Sequence, residues 1–186
     1  AFEGHSPRFR ETMDIGPENV DIGTNNVDIR GEECAQEEKR LVNIIFVCHG
    51  SICRSPAAEF LFRDYAKAKG RENEFSVSSL ALSSEEIGNP VYPRMKAALL
   101  KKGVHLYPHL ARRLSIKDIE EADYVFYMDE SNRRRISLLV DDPKKIMPVF
   151  AFTSGISEIE DPWYTDRYEF VIDQLKRCIE DIWEQL

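Results

Sequence analysis

A stretch at residues 47–56 constrains what this chain can fold into more than any other part of the sequence. It reads Val-Cys-His-Gly-Ser-Ile-Cys-Arg-Ser-Pro, and five residues separate Cys48 from Arg54. An apolar, β-branched run precedes the stretch and a helical apolar pattern follows it, which predicts a strand, a tight loop and a helix. In that arrangement, backbone N–H groups point toward an anion at the N-terminus of the helix.

The side chains of this stretch fit the binding of a tetrahedral dianion. The planar guanidinium of Arg54 suits two oxygens of the anion. Cys48 would face the central atom, where the surrounding dipoles favour the thiolate, the nucleophilic form of cysteine. Ser55 can donate a hydrogen bond to that thiolate. The expected phosphate-binding residues are His49, Gly50, Ser51, Ile52, Cys53 and Arg54.

The composition fits one globular domain preceded by a separate segment. The chain has 186 residues, of which 42% are hydrophobic, enough for a single core. Residues 1–40 repeat the phrase Asp-Ile-Gly and are rich in residues that break helices. We expect residues 1–40 to form a flexible or extended leader and residues 41–186 to form the functional domain.

Charge, hydropathy and cysteine spacing limit the partners and the location of the protein. The formal net charge is −8, which disfavours binding to nucleic acid. No apolar run reaches membrane-spanning length, so we expect no membrane span. The four cysteines are scattered, unlike those of a small secreted disulfide-rich domain. Because a free thiolate needs a reducing compartment, we expect a cytoplasmic protein, and we expect it to be a monomer.

Apolar runs and helical patterns alternate along the rest of the domain. This alternation predicts an α/β fold in three layers, with a four-stranded parallel sheet and helices on both faces. The active loop would follow the first strand, at the carboxyl edge of the sheet. The predicted strands are residues 42–47, 75–82, 124–128 and 145–150, and the predicted helices include residues 54–69, 93–102 and 168–185.

The stretch at residues 47–56 resembles the signature of the low-molecular-weight protein tyrosine phosphatases. Two further segments resemble the same family, Met-Asp-Glu-Ser-Asn at residues 128–132 and Asp-Pro-Trp-Tyr at residues 161–164. The resemblance covers residues 42–186 in the same order and spacing. It implies a flavodoxin-like fold of the phosphotyrosine phosphatase I type. It also implies phosphotyrosine proteins as substrates and inorganic phosphate or another oxyanion as a ligand of the active site.

Asp161 is the candidate for a general acid. Cleavage of a phosphate monoester needs a proton for the leaving oxygen, and a carboxylic acid can supply it. The alternative for Asp161 is a structural Asp-Pro turn that opens the last helix. The resemblance favours the acid role and gives Cys48, Arg54 and Asp161 as catalytic residues. Loop dipoles and Arg54 would take the place of a metal ion, so we expect no cofactor and no metal site.

The resemblance also implies residues that support the loop and line the substrate pocket. Asp129 would hold the Arg54 side chain, and it would also cap the helix that follows. His109 would brace the phosphate loop from behind. His105 lies four residues before His109, but the intervening Pro108 argues against a helical zinc-binding pair. The substrate pocket would be lined by Ile52, Glu85, Trp163 and Tyr164, which makes its wall more acidic than is usual in the family.

Two positions of the loop leave alternatives open. The family usually has Asn at the place of Ser51, and Asn tolerates a left-handed backbone better than Ser does. We therefore expect a somewhat looser loop here, unless His109 compensates. Cys53 could form a protective disulfide with Cys48, as the resemblance implies, or it could fill space behind the loop.

Three other functions compete with tyrosine phosphatase activity. A protein-arginine phosphatase has Thr at the place of Ile52. Compared with Thr, Ile52 has an extra methyl group, which should crowd a guanidine but pack well on a flat ring. An arsenate reductase needs further cysteines in a mobile segment, but no cysteine lies between Cys53 and Cys178. A phosphotyrosine-binding module without catalysis would not need all three catalytic side chains.

Overall fold

The computed structural model describes residues 40–140 and 145–186, and the rest of the expected leader lies outside the described residues. Four strands in this part of the chain form one parallel sheet in the order β2–β1–β3–β4. The central strand β1 pairs with β2 along its whole length and with β3 on its other side. The strands are β1 (Val42–Cys48), β2 (Phe75–Ala81), β3 (Tyr124–Tyr127) and β4 (Ile146–Pro148).

Helices connect the strands and cover both faces of the sheet. Among the described residues, none of them is both long and apolar enough to cross a membrane. A short 3₁₀ turn at Glu72–Glu74 precedes β2. The helices are α1 (Arg54–Ala68), α2 (Pro93–Lys101), α3 (Ile116–Glu121), α4 (Glu130–Ile136), α5 (Pro162–Thr165) and α6 (Tyr168–Trp183).

Side chains of β1 alternate between two hydrophobic cores, because successive residues of a strand point to opposite faces. Ile44 and Phe46 lie in the core that contains residues of α1, α2 and α6. Ile45 and Val47 lie in the core that contains residues of α3 and α4. The sheet thus has a hydrophobic core on each face, which confirms the predicted three-layer α/β architecture. It also explains why β1 is apolar along its length. Cys178 of α6 is buried in the first core, as its place on the apolar face of that helix predicts.

Several element boundaries differ from the sequence predictions where local contacts decide. The fourth strand is only Ile146–Pro148, because the chain turns back there and the Ala151 N–H donates to the Pro148 carbonyl. Helix α3 was not predicted, although a capping box between Ser115 and Asp118 marks its start. Helix α5 was also not predicted, since a single turn leaves no apolar periodicity.

The parallel sheet brings the catalytic segments to one edge. The carboxyl ends of β1 and β3 lie side by side, so the loop after β1 is next to Asp129, which follows β3. Asp129 is the N-cap of α4, as predicted, and its side chain accepts a hydrogen bond from the Asn132 N–H. The His49 carbonyl accepts hydrogen bonds from the N–H groups of Leu82 and Ser83. These contacts tie the loop after β2 to the predicted phosphate loop.

Candidate active site

The predicted phosphate loop, residues 49–53, joins β1 to α1 with a left-handed turn at Ser51. Ser51 has a φ of 54° and is fully buried. Gly50 lies against the wall formed by the loop after β2, where an added Cβ would come within 2.8 Å of the Glu86 Cγ atom. A larger residue at position 50 would therefore push Glu86 aside.

His109 contacts the strained position of this loop from behind. Its Nε2 atom lies 2.6 Å from the Ser51 carbonyl oxygen, and because a carbonyl only accepts, Nε2 donates this hydrogen bond. Its Nδ1 atom lies 3.3 Å from the Ser79 hydroxyl, which donates to a Glu59 carboxylate oxygen at 2.6 Å. The side chains of this network are buried. The network stabilises the left-handed turn that Ser favours less than Asn does.

Replacing His109 with alanine should lower the affinity for inorganic phosphate about 5- to 100-fold, since it leaves the buried Ser51 carbonyl without its hydrogen-bond donor, which costs about 1–3 kcal/mol. The measurement is competitive inhibition by phosphate, together with the thermal unfolding temperature. His105→Ala is the matched control, because the His105 ring contacts Tyr107 rather than the loop. Full phosphate affinity in a folded His109→Ala variant would contradict the bracing role.

Arg54 is 3% exposed and is held by three acceptors. Its Nη1 donates to Asp129 Oδ2 at 2.5 Å and to the Ile159 carbonyl at 3.2 Å, and its Nη2 donates to Asp161 Oδ2 at 2.7 Å. These bonds use both Nη1 hydrogens and one on Nη2. The Nε–H and the second Nη2–H have no acceptor among the described residues. These two neighbouring donors match the spacing of two phosphate oxygens.

The charge of Arg54 is stabilised by its surroundings. Burial alone would lower the Arg54 pKa, but the negative charges of Cys48, Asp161 and Asp129 outweigh it and raise the pKa above its ordinary value. A permanent positive charge therefore lies beside the candidate nucleophile.

The two cysteines of the loop differ in their surroundings. Cys48 ends β1, and its Sγ atom lies 3.2 Å from the Ser55 hydroxyl, which is also 3.2 Å from the Ser51 hydroxyl. Cys53 is also a free thiol, but burial, followed by the nearby Cys48, raises its pKa. Cys53 is thus held as the neutral thiol, which is a poorer nucleophile than the thiolate. A disulfide between Cys48 and Cys53 stays a prediction.

A small cleft of about 60 Å³ opens above the loop, large enough for a compact anion but not for a peptide. It brings together the three predicted catalytic side chains from segments far apart in the chain. The described residues contain no cluster of three or more Asp, Glu, His or Cys side chains that could hold a metal ion. The residues that line the cleft are Cys48, His49, Gly50, Ile52, Cys53, Arg54, Glu86, Asp161 and Trp163.

The wall of the cleft differs from the expectation at two positions. Glu86 lines the cleft, whereas Glu85 lies beside it, with Oε2 at 2.8 Å from His49 Nε2. This hydrogen bond lowers the Glu85 pKa below its ordinary value. Tyr164 is 85% exposed and is not among the lining residues. Of the four residues expected in the substrate pocket, Ile52 and Trp163 do line the cleft.

Asp161 lies at the cleft and also caps a helix, but that helix is the short α5 and not the last helix, whose N-cap is Arg167. Its Oδ1 atom accepts a hydrogen bond from the Trp163 N–H and caps α5, while Oδ2 binds Arg54 at the cleft. The Trp163 ring packs on the ring of Tyr92, with 5.3 Å between centroids. The Tyr92 N–H donates to the Ile52 carbonyl of the phosphate loop at 2.8 Å. Sequence reasoning missed Tyr92, because it lies in an irregular segment without a motif.

A four-stranded parallel sheet with a Cys-x5-Arg loop after its first strand defines the class of this protein, an α/β phosphatase. The chain also matches the profile of the low molecular weight phosphotyrosine protein phosphatases over residues 43–186, and it belongs to that family.

Individual relatives agree with this assignment over most of their length. The low molecular weight protein-tyrosine-phosphatase YfkJ of Bacillus subtilis is 32% identical over 146 residues, which cover 76% of this chain and 94% of the relative. The low molecular weight phosphotyrosine protein phosphatase of Schizosaccharomyces pombe is 39% identical over 128 residues, covering 66% and 81%. The crystal structure of YfkJ superimposes with a TM-score of 0.76 at 30% identity, covering 80% of this chain and 96% of YfkJ.

Proposed function

We propose that this chain is a protein-tyrosine phosphatase that acts through a phosphocysteine intermediate. One observation carries the proposal: Cys48, Arg54 and Asp161 line the same small cleft. A thiol, a guanidinium and a carboxylate are the nucleophile, the anion-binding group and the proton donor that cleavage of a phosphate monoester requires.

In the first step, the Cys48 thiolate attacks phosphorus in line with the bond to the tyrosine oxygen. The new S–P bond forms as the P–O bond breaks, and protonated Asp161 gives its proton to the leaving oxygen. The N–H groups of the loop and the two remaining Arg54 donors stabilise the equatorial oxygens, which carry the charge of the transition state.

In the second step, water hydrolyses the phosphocysteine. Asp161, now a carboxylate, accepts a proton from the water as its oxygen attacks phosphorus. The S–P bond breaks, the Cys48 thiolate is restored, and inorganic phosphate leaves the cleft. Asp161 is thus the acid of the first step and the base of the second.

Ile52 and Trp163 support tyrosine as the substrate side chain. Both line the cleft, and Trp163 is 56% exposed, which leaves an aromatic surface at the mouth. A flat phenyl ring can pack between an aliphatic and an aromatic side chain. The extra methyl group of Ile52 would crowd a branched guanidine, so phosphoarginine is the less favoured substrate.

The proposal includes a monomeric chain in the cytoplasm. Cys48, Arg54 and Asp161 of one chain meet in the cleft, which fits a monomer. Three cysteines in the described residues, Cys48, Cys53 and Cys178, are free thiols. Free thiols persist in a reducing compartment.

The test is a side-by-side assay of three substrates with the purified chain: a phosphotyrosine peptide, the same peptide with phosphoarginine, and arsenate with a thiol reductant. We expect kcat/KM to be highest for phosphotyrosine, and we expect no arsenate reduction, since the candidate site has no additional shuttle cysteine. Preferential hydrolysis of phosphoarginine would replace the proposal with the arginine phosphatase. Binding of the phosphotyrosine peptide without release of phosphate would support a binding module.

A further inference from the structure

The segment that carries Asp161 is fixed at both ends by arginines from other parts of the chain. Asp161 at the N-cap of α5 binds Arg54, as described above. Asp166 at the C-cap has a left-handed backbone with a φ of 62°, and its two carboxylate oxygens contact the guanidinium of Arg94. Because α5 is a single helical turn, it cannot hold its position through its own hydrogen bonds.

The start of α2 contacts both catalytic segments. The Tyr92 N–H binds the Ile52 carbonyl of the phosphate loop, and the Tyr92 ring packs on Trp163 of α5. The same ring stacks on Tyr168 at the start of α6, with 6.1 Å between centroids, and the Arg94 guanidinium lies 5.3 Å from the Tyr168 ring centroid. Tyr92, the N-cap of α2, therefore contacts both the nucleophile loop and the segment that carries Asp161.

We propose that Tyr92 and Arg94 are positioning residues that hold Asp161 over the phosphate loop. This inference rests on the proposed function, because it assigns a purpose to the contacts around the candidate general acid. Arg94 binds the far end of the α5 turn, and Tyr92 supports Trp163, whose N–H holds the Asp161 carboxylate. Neither residue lines the cleft, so each acts through another side chain.

The exposure of the Arg94 ion pair separates positioning from a general effect on stability. The Arg94 and Asp166 side chains are more than half exposed. Ion pairs of this kind add little to global stability, so their loss should leave the protein folded. A small displacement of a catalytic group, however, can lower a rate up to about 100-fold. The expected signature is therefore a selective loss of proton donation in a stable protein.

The main experiment compares Arg94→Met and Tyr92→Ala with two variants that leave the contacts intact. Tyr92→Phe retains the ring. Lys101→Met breaks the Lys101–Glu169 ion pair, which also starts from α2 but joins it to α6 and not to α5. The measured quantity is kcat/KM for phosphotyrosine, whose leaving group needs a proton, and for 4-nitrophenyl phosphate, whose leaving group does not.

We expect Arg94→Met and Tyr92→Ala to lower kcat/KM for phosphotyrosine about 10-fold and to change the 4-nitrophenyl phosphate value less than about 3-fold. Tyr92→Phe and Lys101→Met should match the native chain on both substrates. In an Asp161→Asn background, Arg94→Met should cause no further loss, because the residue that it positions is already inactive. Equal losses on both substrates, or an undiminished loss in the Asp161→Asn background, would overturn the inference.

A measurement without catalysis separates this inference from the proposed function. The sequence has two tryptophans, so Trp183→Phe leaves Trp163 as the single indole fluorophore. In that background, Arg94→Met should raise acrylamide quenching of Trp163, which is 56% exposed in the native fold, toward that of a fully exposed indole, whereas Lys101→Met should not change it. Unchanged quenching would overturn the positioning role even if the protein is a tyrosine phosphatase. If instead Asp161→Asn fails to distinguish the two substrates while quenching increases, the acid role fails and the Arg94 contact stands.

Discussion

Replacing Cys48 with serine should lower kcat/KM for a phosphotyrosine peptide at least about 10⁴-fold and leave phosphate binding intact. A serine hydroxyl keeps its proton at neutral pH and is a far weaker nucleophile than a thiolate. The donors that bind the anion, the loop N–H groups and Arg54, are unchanged in the variant. Phosphate affinity should equal or exceed that of the native chain, because the negative charge below the anion is removed.

The measurements are steady-state hydrolysis and calorimetric titration with inorganic phosphate. Cys178→Ala is the control, since Cys178 is a buried cysteine in the core between the sheet and α6. It should lower stability by about 1–2 kcal/mol through loss of packing and leave kcat/KM unchanged. If Cys48→Ser retains more than about a hundredth of native turnover, the nucleophile is another group.

Replacing Asp161 with asparagine should lower kcat/KM for phosphotyrosine about 10²- to 10⁴-fold, the usual contribution of a general acid. The loss should shrink steadily as the aryl leaving group becomes more acidic, because such a leaving group departs without a proton. Asparagine is preferred to alanine, since its side-chain oxygen can still accept the Trp163 N–H and cap α5. The variant thus removes the proton donor and keeps the turn.

A series of aryl phosphates of graded leaving-group pKa measures this dependence. Asp173→Asn is the control, because Asp173 is an exposed carboxylate of α6 that pairs with Lys102 away from the cleft. It should reproduce the native dependence. A loss in Asp161→Asn that is the same for every leaving group would point to binding or structure and would remove the acid role.

Local chemistry made the phosphate loop predictable. Its nucleophile, donors and arginine lie within seven consecutive residues, and the flanking strand and helix have clear apolar patterns. The alternation of strands and helices likewise predicted the parallel sheet, since a strand such as β1 must be apolar on both faces. Asp161 was different, because it lies far along the chain from Cys48. Only the family resemblance connected the two before the structure was known.

Irregular segments account for what the sequence did not predict. In the loop after β2, side chains follow no period, so nothing in the sequence decides between Glu85 and Glu86 as the residue that faces the cleft. Tyr92 contacts the Ile52 carbonyl through its backbone N–H and Trp163 through its ring. Neither contact gives a recognisable sequence motif. Strand β4 ends early because the chain turns at Pro148. The apolar run continues past this turn, so the sequence pattern does not show where the strand ends.

Because Gly50 lies close to Glu86, the phosphate loop and the wall of the cleft pack directly against each other. A substitution of Glu86 that is meant to change substrate preference would also alter the space into which the phosphate loop packs at Gly50. Conversely, a smaller side chain at position 86 would make room for a methyl group at position 50. A substitution at position 86 in the wall therefore also affects the phosphate loop, and a substitution at position 50 in the loop also affects the wall.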